Sequence, residues 1–397
     1  MSEEKLVPKL RFTVYSNDWF LEKLDNVCQF VRDGTHGSFK DVEIGIPLLS
    51  AKDIFDGKIN INENSRLISI DDYNTIHKNY ELTKGDILLT IVGTIGRTAM
   101  VNMDEKFTLQ RSVAILRVNE QISYNFLYYY IQTSAFQNRL KSVVNQSAQG
   151  GVYLNSLKKL NIKLTADMNE QNKISSFLSI IDKKIELLEQ KYQYYQEFKK
   201  YLMQQIFTQK LRFNFNDAWK TVKIKDIFDE RSEKGFLDLE LLSVTLNDGV
   251  IKRSEIESKD NSNENKSNYK HVLPGDIVYN SMRMWQGASG VSPYEGIVSP
   301  AYTILIPKNV YSKYFGYYFK TNEMVYQFKK YSQGLTSDTW NLKYPLISEI
   351  KIKIPSIEEQ KEITNVFEIM DEKIKILQNN IDELTTFKKG LLQQMFV

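Results

Sequence analysis

The 397-residue chain has one cysteine, Cys28, and only three histidines, His36, His77 and His271. A single thiol excludes an intrachain disulfide and fits a reducing cytoplasm. No histidine stands at ligand spacing from another or from Cys28, so the sequence offers no metal site. No run approaches the roughly 20 apolar residues of a membrane helix, and Met1-Ser2-Glu3-Glu4-Lys5 lacks the apolar core of a signal peptide. The expectation is a soluble cytoplasmic protein with no membrane partner. Charge of one sign is also scarce: 52 basic against 49 acidic residues leave +3, so any surface for a polyanion must be local.

Nucleotide chemistry has no signature either. There is no Gly-rich phosphate loop of the Walker type, and no G-x-G-x-x-G follows a strand. Ser299-Pro300-Ala301-Tyr302 lacks the second proline of the amino-methyltransferase motif, and no F-x-G-x-G accompanies it. Asp338 followed by Glu349-Ile350-Lys351 has the letters of a D…E-x-K nuclease site. Such matches arise freely in a chain that is 25% charged, and this one reads as a solvated strand face.

What the chain does contain is itself twice. Lys199-Lys200-Tyr201-Leu202-Met203-Gln204-Gln205-Ile206-Phe207 returns as Lys388-Lys389-Gly390-Leu391-Leu392-Gln393-Gln394-Met395-Phe396, an offset of 189 residues. The same offset maps Glu170-Gln171 onto Glu359-Gln360 and Ile181-Asp182-Lys183-Lys184-Ile185 onto Met370-Asp371-Glu372-Lys373-Ile374. Looser echoes pair Gly85-Asp86-Ile87-Leu88 with Gly275-Asp276-Ile277-Val278, Phe126 to Tyr130 with Phe315 to Phe319, and Leu10-Arg11-Phe12 and Trp19 with Leu211-Arg212-Phe213 and Trp219. So long a period excludes short-repeat solenoids. The helical ends match and the bodies diverge, which suggests one scaffold presenting two specificities.

From Ile174 the apolar residues Leu178, Ile181, Ile185, Leu188, Tyr192, Tyr195, Leu202 and Ile206 alternate by four and three, a coiled-coil seam. The second copy keeps the phase through Ile363, Phe367, Met370, Ile374, Leu377, Ile381, Leu384, Leu391 and Met395, and both seams are interrupted at Lys199 and Lys388, where Phe198 and Phe387 take over. A helix from near Asn169 to Phe207 would be roughly 60 Å long at about 1.5 Å per residue. Asn169 or Ser356 is the expected N-cap of each long helix. In the bodies, strands are expected over Leu82 to Ile91, Val113 to Val118, Asp276 to Tyr279 and Tyr302 to Ile306, helices over Tyr124 to Leu140 and Tyr311 to Tyr331, and a solvated loop over Ser254 to Asn268. The predicted class is therefore α+β: two tandem mixed α/β bodies separated by two long antiparallel helices that form an intramolecular coiled coil.

Side chains able to read DNA sit where the copies differ. Arg32-Asp33-Gly34-Thr35-His36-Gly37-Ser38 is a donor-dense turn, making Thr35, His36 and Ser38 candidates. Arg97, Gln110, Arg111, Gln146, Ser147 and Gln149 fall on predicted turns of the first body, and Arg283, Trp285, Gln286, Lys330, Gln333 and Thr336 on those of the second. Each of these taken singly is more often a surface residue than a contact, and it is their recurrence at equivalent places after Gly85-Asp86 and Gly275-Asp276 that makes the set credible.

Pro8-Lys9-Leu10-Arg11-Phe12 with Trp19, Asp33-Gly34-Thr35-His36, Gly85-Asp86-Ile87-Leu88 before Val92-Gly93-Thr94-Ile95-Gly96, and the paired Glu-Gln helix starts together resemble the specificity subunit of a type I restriction-modification system. The resemblance covers essentially the whole chain. It implies target-recognition domains at 1–166 and 209–354, and conserved spacer helices at 167–208 and 355–397. It implies a non-catalytic chain that binds double-stranded DNA at a split site, each domain reading one half. Two methyltransferase subunits would carry S-adenosylmethionine and methylate adenine, and restriction subunits would supply ATP- and Mg-dependent cleavage, leaving no cofactor in this chain. The competing readings are a self-contained methyltransferase or nuclease with a fused recognition domain, which needs a catalytic motif, and a bare coiled-coil scaffold, which needs no divergent bodies.

Overall fold

The computed structural model describes residues 6–145, 150–246, 248–257, 262, 265–336 and 339–396. The chain divides into two compact units, Met1–Glu189 with Asn379–Val397, and Gln190–Gln378. Each unit combines one mixed body with a stretch of both long helices.

The first unit is built on an antiparallel sheet in the order Cys28–Asp33, Val113–Val118, Ile87–Thr90, Thr98–Met100. Side chains alternate across a strand. Ile87, Leu89, Ala114 and Leu116 join Phe126, Tyr130 and Phe136 in the main core, while Leu88, Val113 and Ile115 enter a smaller core with Leu49, Ile54 and Leu109. With both faces covered, these strands read as unbroken apolar runs. The second unit repeats the order with Phe228–Glu230, Tyr302–Pro307, Ile277–Asn280 and Ser289–Val291. A two-stranded ribbon accompanies each sheet: Phe20–Lys23 with Asn161–Leu164, and Lys220–Lys223 with Lys351–Ile354.

Several local expectations are corrected. The strand expected from Leu82 begins at Ile87, because the Thr83 amide donates to the Asp86 carboxylate and Gly85 turns the chain with φ +93°. The helix expected over Tyr124 to Leu140 is two helices, Tyr124–Tyr130 and Ser134–Ser142, broken where the Thr133 hydroxyl accepts from the Phe136 amide and so starts a new one. Thr321 breaks the expected Tyr311 to Tyr331 helix in the same way, into Ser312–Tyr318 and Asn322–Tyr331. The echo between these helices runs at an offset of 188, one residue off the sequence match, since Tyr129 and Tyr317 make the same hydrogen bond to Asp182 and Asp371.

The long helices are Met168–Phe207 and Ile357–Gln394. The first is capped by Asp167, not Asn169: its carboxylate accepts from the amides of Asn169 and Glu170. Ser356 caps the second through the Glu359 amide. Ile174, Leu178 and Ile181 enter the first unit's main core together with Leu391, Leu392, Met395 and Phe396. Ile206, Phe207, Ile363, Phe367 and Met370 do the same in the second unit. Each body is therefore closed by the end of the other copy's helix. Phe396 lies 5.1 Å from Phe126, 5.8 Å from Tyr130 and 6.2 Å from Trp19 by ring centroids, and Phe207 lies 5.2 Å from Tyr318 and 5.5 Å from Tyr314.

Lys199 and Lys388 do not yield the seam to Phe198 and Phe387, which are exposed. Lys388 pairs with Asp182 at 2.6 Å in the first unit, and Lys199 pairs with Asp371 in the second. The partner number falls as the first helix's number rises, which is the antiparallel sense. In both places the carboxylate also accepts from Tyr129 or Tyr317, and the ammonium lies over that ring. Ahead of the ribbon strands Phe20–Lys23 and Lys220–Lys223, the Leu10 amide donates to the Gln394 carbonyl at 2.8 Å, and the Leu211 amide to the Gln205 carbonyl at 3.1 Å.

Candidate functional site

Two buried Glu-Gln pairs fasten body to helix in the same manner. Glu170 takes a two-pronged hydrogen bond from Arg11 at 2.6 and 2.8 Å, and Glu359 takes one from Arg212 at 3.1 and 2.8 Å. Gln171 accepts from the Ser123 amide and donates to the Thr165 carbonyl; Gln360 accepts from the Tyr311 amide and donates to the Pro355 carbonyl. These motif residues thus serve the scaffold, and the variable chemistry lies elsewhere.

It gathers at one end of each sheet. In the first unit, strand Cys28–Asp33 ends where strand Val113–Val118 starts, and Ile87–Thr90 ends where Thr98–Met100 starts. The Thr35 amide donates to the Leu109 carbonyl at 2.7 Å, and the Arg111 amide to the Thr35 carbonyl at 3.0 Å. This stitching requires Gly34, since a Cβ there would collide with the Leu109 carbonyl. The next residue, Ser112, accepts from the Ile91 amide, leading on to the turn that carries Arg97. Thr35, His36, Gln110, Arg111 and Arg97 therefore share one sheet end. His36, Ser38, Arg97 and Arg111 are exposed there. Asp33 holds the His36 ring at 2.8 Å. Asn145 and Gly151 flank the same end through the Val152 amide on the Ile91 carbonyl, while Gln146, Ser147 and Gln149 lie outside the described residues.

The second unit uses the same end differently. Arg283, Trp285 and Gln286 occupy the turn between strands Ile277–Asn280 and Ser289–Val291. Trp285 packs edge-on against Trp340 at 5.3 Å, and Lys329 lies over Trp340 at 5.6 Å. Gln333 is bridged to Asn341 by two backbone bonds, and the Leu342 amide donates to the Ser281 carbonyl at 2.8 Å, which holds Asn341 and Leu342 against that turn. Lys330 and Thr336 are exposed beside it, with Leu335 fully exposed between Gln333 and Thr336. Asp338 lies outside the described residues.

At the opposite end of each sheet, just before the strands Ile87–Thr90 and Ile277–Asn280, sits a buried carboxylate with an arginine from a different strand. Asp86 is held by Arg117 at 2.7 and 2.8 Å, and Asp276 by Arg231 at 2.8 and 3.2 Å. Arg117 lies on the strand Val113–Val118, whereas Arg231 follows the strand Phe228–Glu230. Sequence comparison of the halves finds the acid and misses the base, because the arginine has changed strands.

Burial pushes the Cys28 thiol up to about 12, leaving no thiolate for nucleophilic chemistry near neutral pH. Among the described residues no cluster of three His, Cys, Asp or Glu could hold a metal ion, and no helix is long and apolar enough to cross a membrane.

Residues 18–194 and 216–386 both match a family model described as the type I restriction modification DNA specificity domain. A Methanocaldococcus jannaschii protein, provisionally described as the type I restriction enzyme MjaX specificity subunit, is 23% identical over 403 residues, covering 94% of this chain and 92% of that protein. The Escherichia coli type I restriction enzyme EcoBI specificity subunit is 29% identical over 161 residues, 40% of this chain and 33% of that one. Among solved structures, the type I restriction-modification S subunit from M. genitalium superposes with a TM-score of 0.62 at 16% identity, covering 99% of both chains. The HsdS subunit from Thermoanaerobacter tengcongensis gives 0.50 at 15% identity, covering 95% of this chain and 96% of that one.

Proposed function

Because the chain belongs to the type I restriction-modification DNA specificity family, we propose that its two units read the two halves of a split double-stranded DNA site and direct partner subunits to it. One observation carries this reading. The same sheet end recurs on the same frame in both units with unrelated side chains, Thr35, Gln110, Arg111 and Arg97 in one and Arg283, Trp285 and Gln286 in the other. A scaffold alone has no use for that divergence, whereas two base-reading surfaces require it.

The chain itself is not catalytic in this reading. Methylation of adenine with S-adenosylmethionine belongs to two methyltransferase subunits, and ATP- and Mg-dependent cleavage to restriction subunits, in the cytoplasm. Each long helix carries a second apolar stripe for such partners. Ile180, Leu187 and Phe387 are exposed in the first unit, and Tyr194, Phe198, Tyr201, Ile369 and Ile376 in the second. Ile180, Leu187, Tyr194 and Tyr201 recur every seven residues, the spacing with which a further helix packs.

Two measurements test the proposal. The purified chain alone should neither bind S-adenosylmethionine by calorimetry nor methylate DNA until a methyltransferase subunit is added; saturable cofactor binding by the lone chain would refute it. Replacing Arg283, Trp285 and Gln286 together with alanine should weaken or relax one half-site in a methylation profile and leave the other intact. Disturbance of both halves would show that the units do not read separately.

A further inference from the structure

Arg32 is the one half-buried arginine of the first unit's sheet whose charge is left without a carboxylate. Arg11, Arg117, Arg212 and Arg231 are similarly shielded, and each is spent on an acid. Among the described residues the Arg32 side chain makes no ion pair, and its Nε is buried without a hydrogen-bond partner. The adjacent Asp33 is already engaged by His36. Removing a guanidinium from bulk water without pairing it is costly, so a position that keeps one needs another partner.

The group is also held flat. Its guanidinium carbon lies 3.5 Å from the centroid of the Tyr80 ring, and Tyr80 is backed by His77 at 4.6 Å, itself stacked on Tyr73 at 4.3 Å. The His77 Nδ1 contacts the Tyr80 carbonyl at 3.0 Å and fixes the column. Burial, and secondarily Arg32, lower the His77 pKa, so the column behind the guanidinium stays uncharged at neutral pH. In front of it opens a cavity of about 610 Å3 lined by Arg32, Gln29, Asn79, Thr35 and His36, among others. That cavity shares Thr35 and His36 with the sheet end described above. The corresponding arginine of the second unit, Arg231, is consumed by Asp276 and Glu233 and is not free to do the same.

Resting on the reading of the first unit as a DNA reader, we propose that Arg32 recognises a guanine, its planar fork donating to O6 and N7 of the base from a platform set by Tyr80. A rigid pair of parallel donors matches the two acceptors on the guanine edge, whereas adenine offers an acceptor and a donor there. A phosphate would accept the same charge without distinguishing bases.

The test uses the whole chain assembled with its methyltransferase subunits, carrying Arg32→Lys or Arg32→Gln, with competition binding against duplexes in which each position of the site is varied. Arg32→Lys keeps the charge and a contact to Tyr80 but loses the fork. It should cut discrimination at one G·C pair of one half-site by about five- to 140-fold, which corresponds to about 1–3 kcal/mol for a bidentate contact. The other half-site and the melting temperature should not change, and Tyr80→Phe, which keeps the ring, should preserve discrimination. Unaltered base preferences in both variants would overturn the proposal. So would an equal loss of affinity for all sequences with a salt slope reduced by about one, the mark of a phosphate contact. If the unmodified assembly recognises no split site, the underlying reading fails as well, and that result is seen without any variant.

Discussion

Replacing Phe396 with alanine removes a ring that the first unit borrows from the end of the second long helix. The side chain is 5% exposed and touches Trp19, Phe126 and Tyr130. A buried Phe→Ala change costs about 3–5 kcal/mol once the residual cavity is included. Three aromatic neighbours lost together place this site toward the upper part of that range. For a unit of this size, about 2–4 °C per kcal/mol gives a fall in melting temperature of about 6–20 °C. Hydrogen exchange locates the damage: amides of the strand Val113–Val118 should lose protection, while those of Tyr302–Pro307 keep theirs. Phe207→Ala should produce the mirror result, since Phe207 fills the same place against Tyr314 and Tyr318. Phe387→Ala, on the same helix as Phe396 but exposed, should stay within about 0.5 kcal/mol of the parent. A shift below about 2 °C for Phe396→Ala, or equal deprotection of both strands, would refute the borrowed-core argument.

Arg117→Leu should destabilise the first unit by about 3–5 kcal/mol in urea unfolding, because Asp86 is 1% exposed and would be left charged and unpaired; the double change Arg117→Leu with Asp86→Asn should recover part of the loss. The hydroxyls of Tyr129 and Tyr317 are raised above the ordinary tyrosine range, first by burial and then by Asp182 and Asp371. In the unfolded chain they ionise near about 10, so the stability they contribute is fully present below that pH and is lost progressively as pH rises from there towards their raised folded-state values. Tyr129→Phe with Tyr317→Phe should therefore flatten the fall in stability above about pH 10, followed by chemical unfolding at each pH. Deleting one heptad from each helix, Glu186 to Tyr192 together with Lys375 to Ile381, removes about 10 Å of helix at 1.5 Å per residue, roughly three base pairs at about 3.4 Å each. Selection from DNA with randomised spacers should give a shorter preferred gap or lost binding, and an unchanged gap at full affinity would show that the helices do not set it.

The parts legible in the sequence were those written in local period. The heptads reveal both long helices, the candidate caps Asn169 and Ser356 place their starts within two residues, and the apolar runs at Val113 and Tyr302 locate their strands, because burial on one or both faces leaves a repeat in neighbouring positions. Interruptions by single hydrogen bonds were not legible. Thr133 and Thr321 sit in stretches whose apolar spacing continues through them, and only the cap geometry reveals the break. Lys199 looked like a gap in the seam because its compensation, Asp371 and Tyr317, is more than 100 residues away. The donor-rich turn at Thr35 was visible as composition. Its junction with Gln110 and Arg111 depends on a close approach at Gly34, which no spacing announces. Arg32 is hidden in the sequence for the same reason, since Tyr80 stands 48 residues from it in the chain.

The hydrogen bond from Leu10 to Gln394 is the counterpart of the one from Leu211 to Gln205. In the second case a short covalent connection from Phe207 leads into the next body; in the first, the same junction is made by contact alone. That bond joins residues 384 positions apart in the sequence within the first unit. Leu6 pairs with Trp19, and Trp19 touches Phe396, so the two sides of that junction already meet. A variant with Phe396 joined to Leu6 through a short linker and the chain opened between Thr208 and Lys210 is therefore expected to keep the Trp19–Phe396 packing of the first unit.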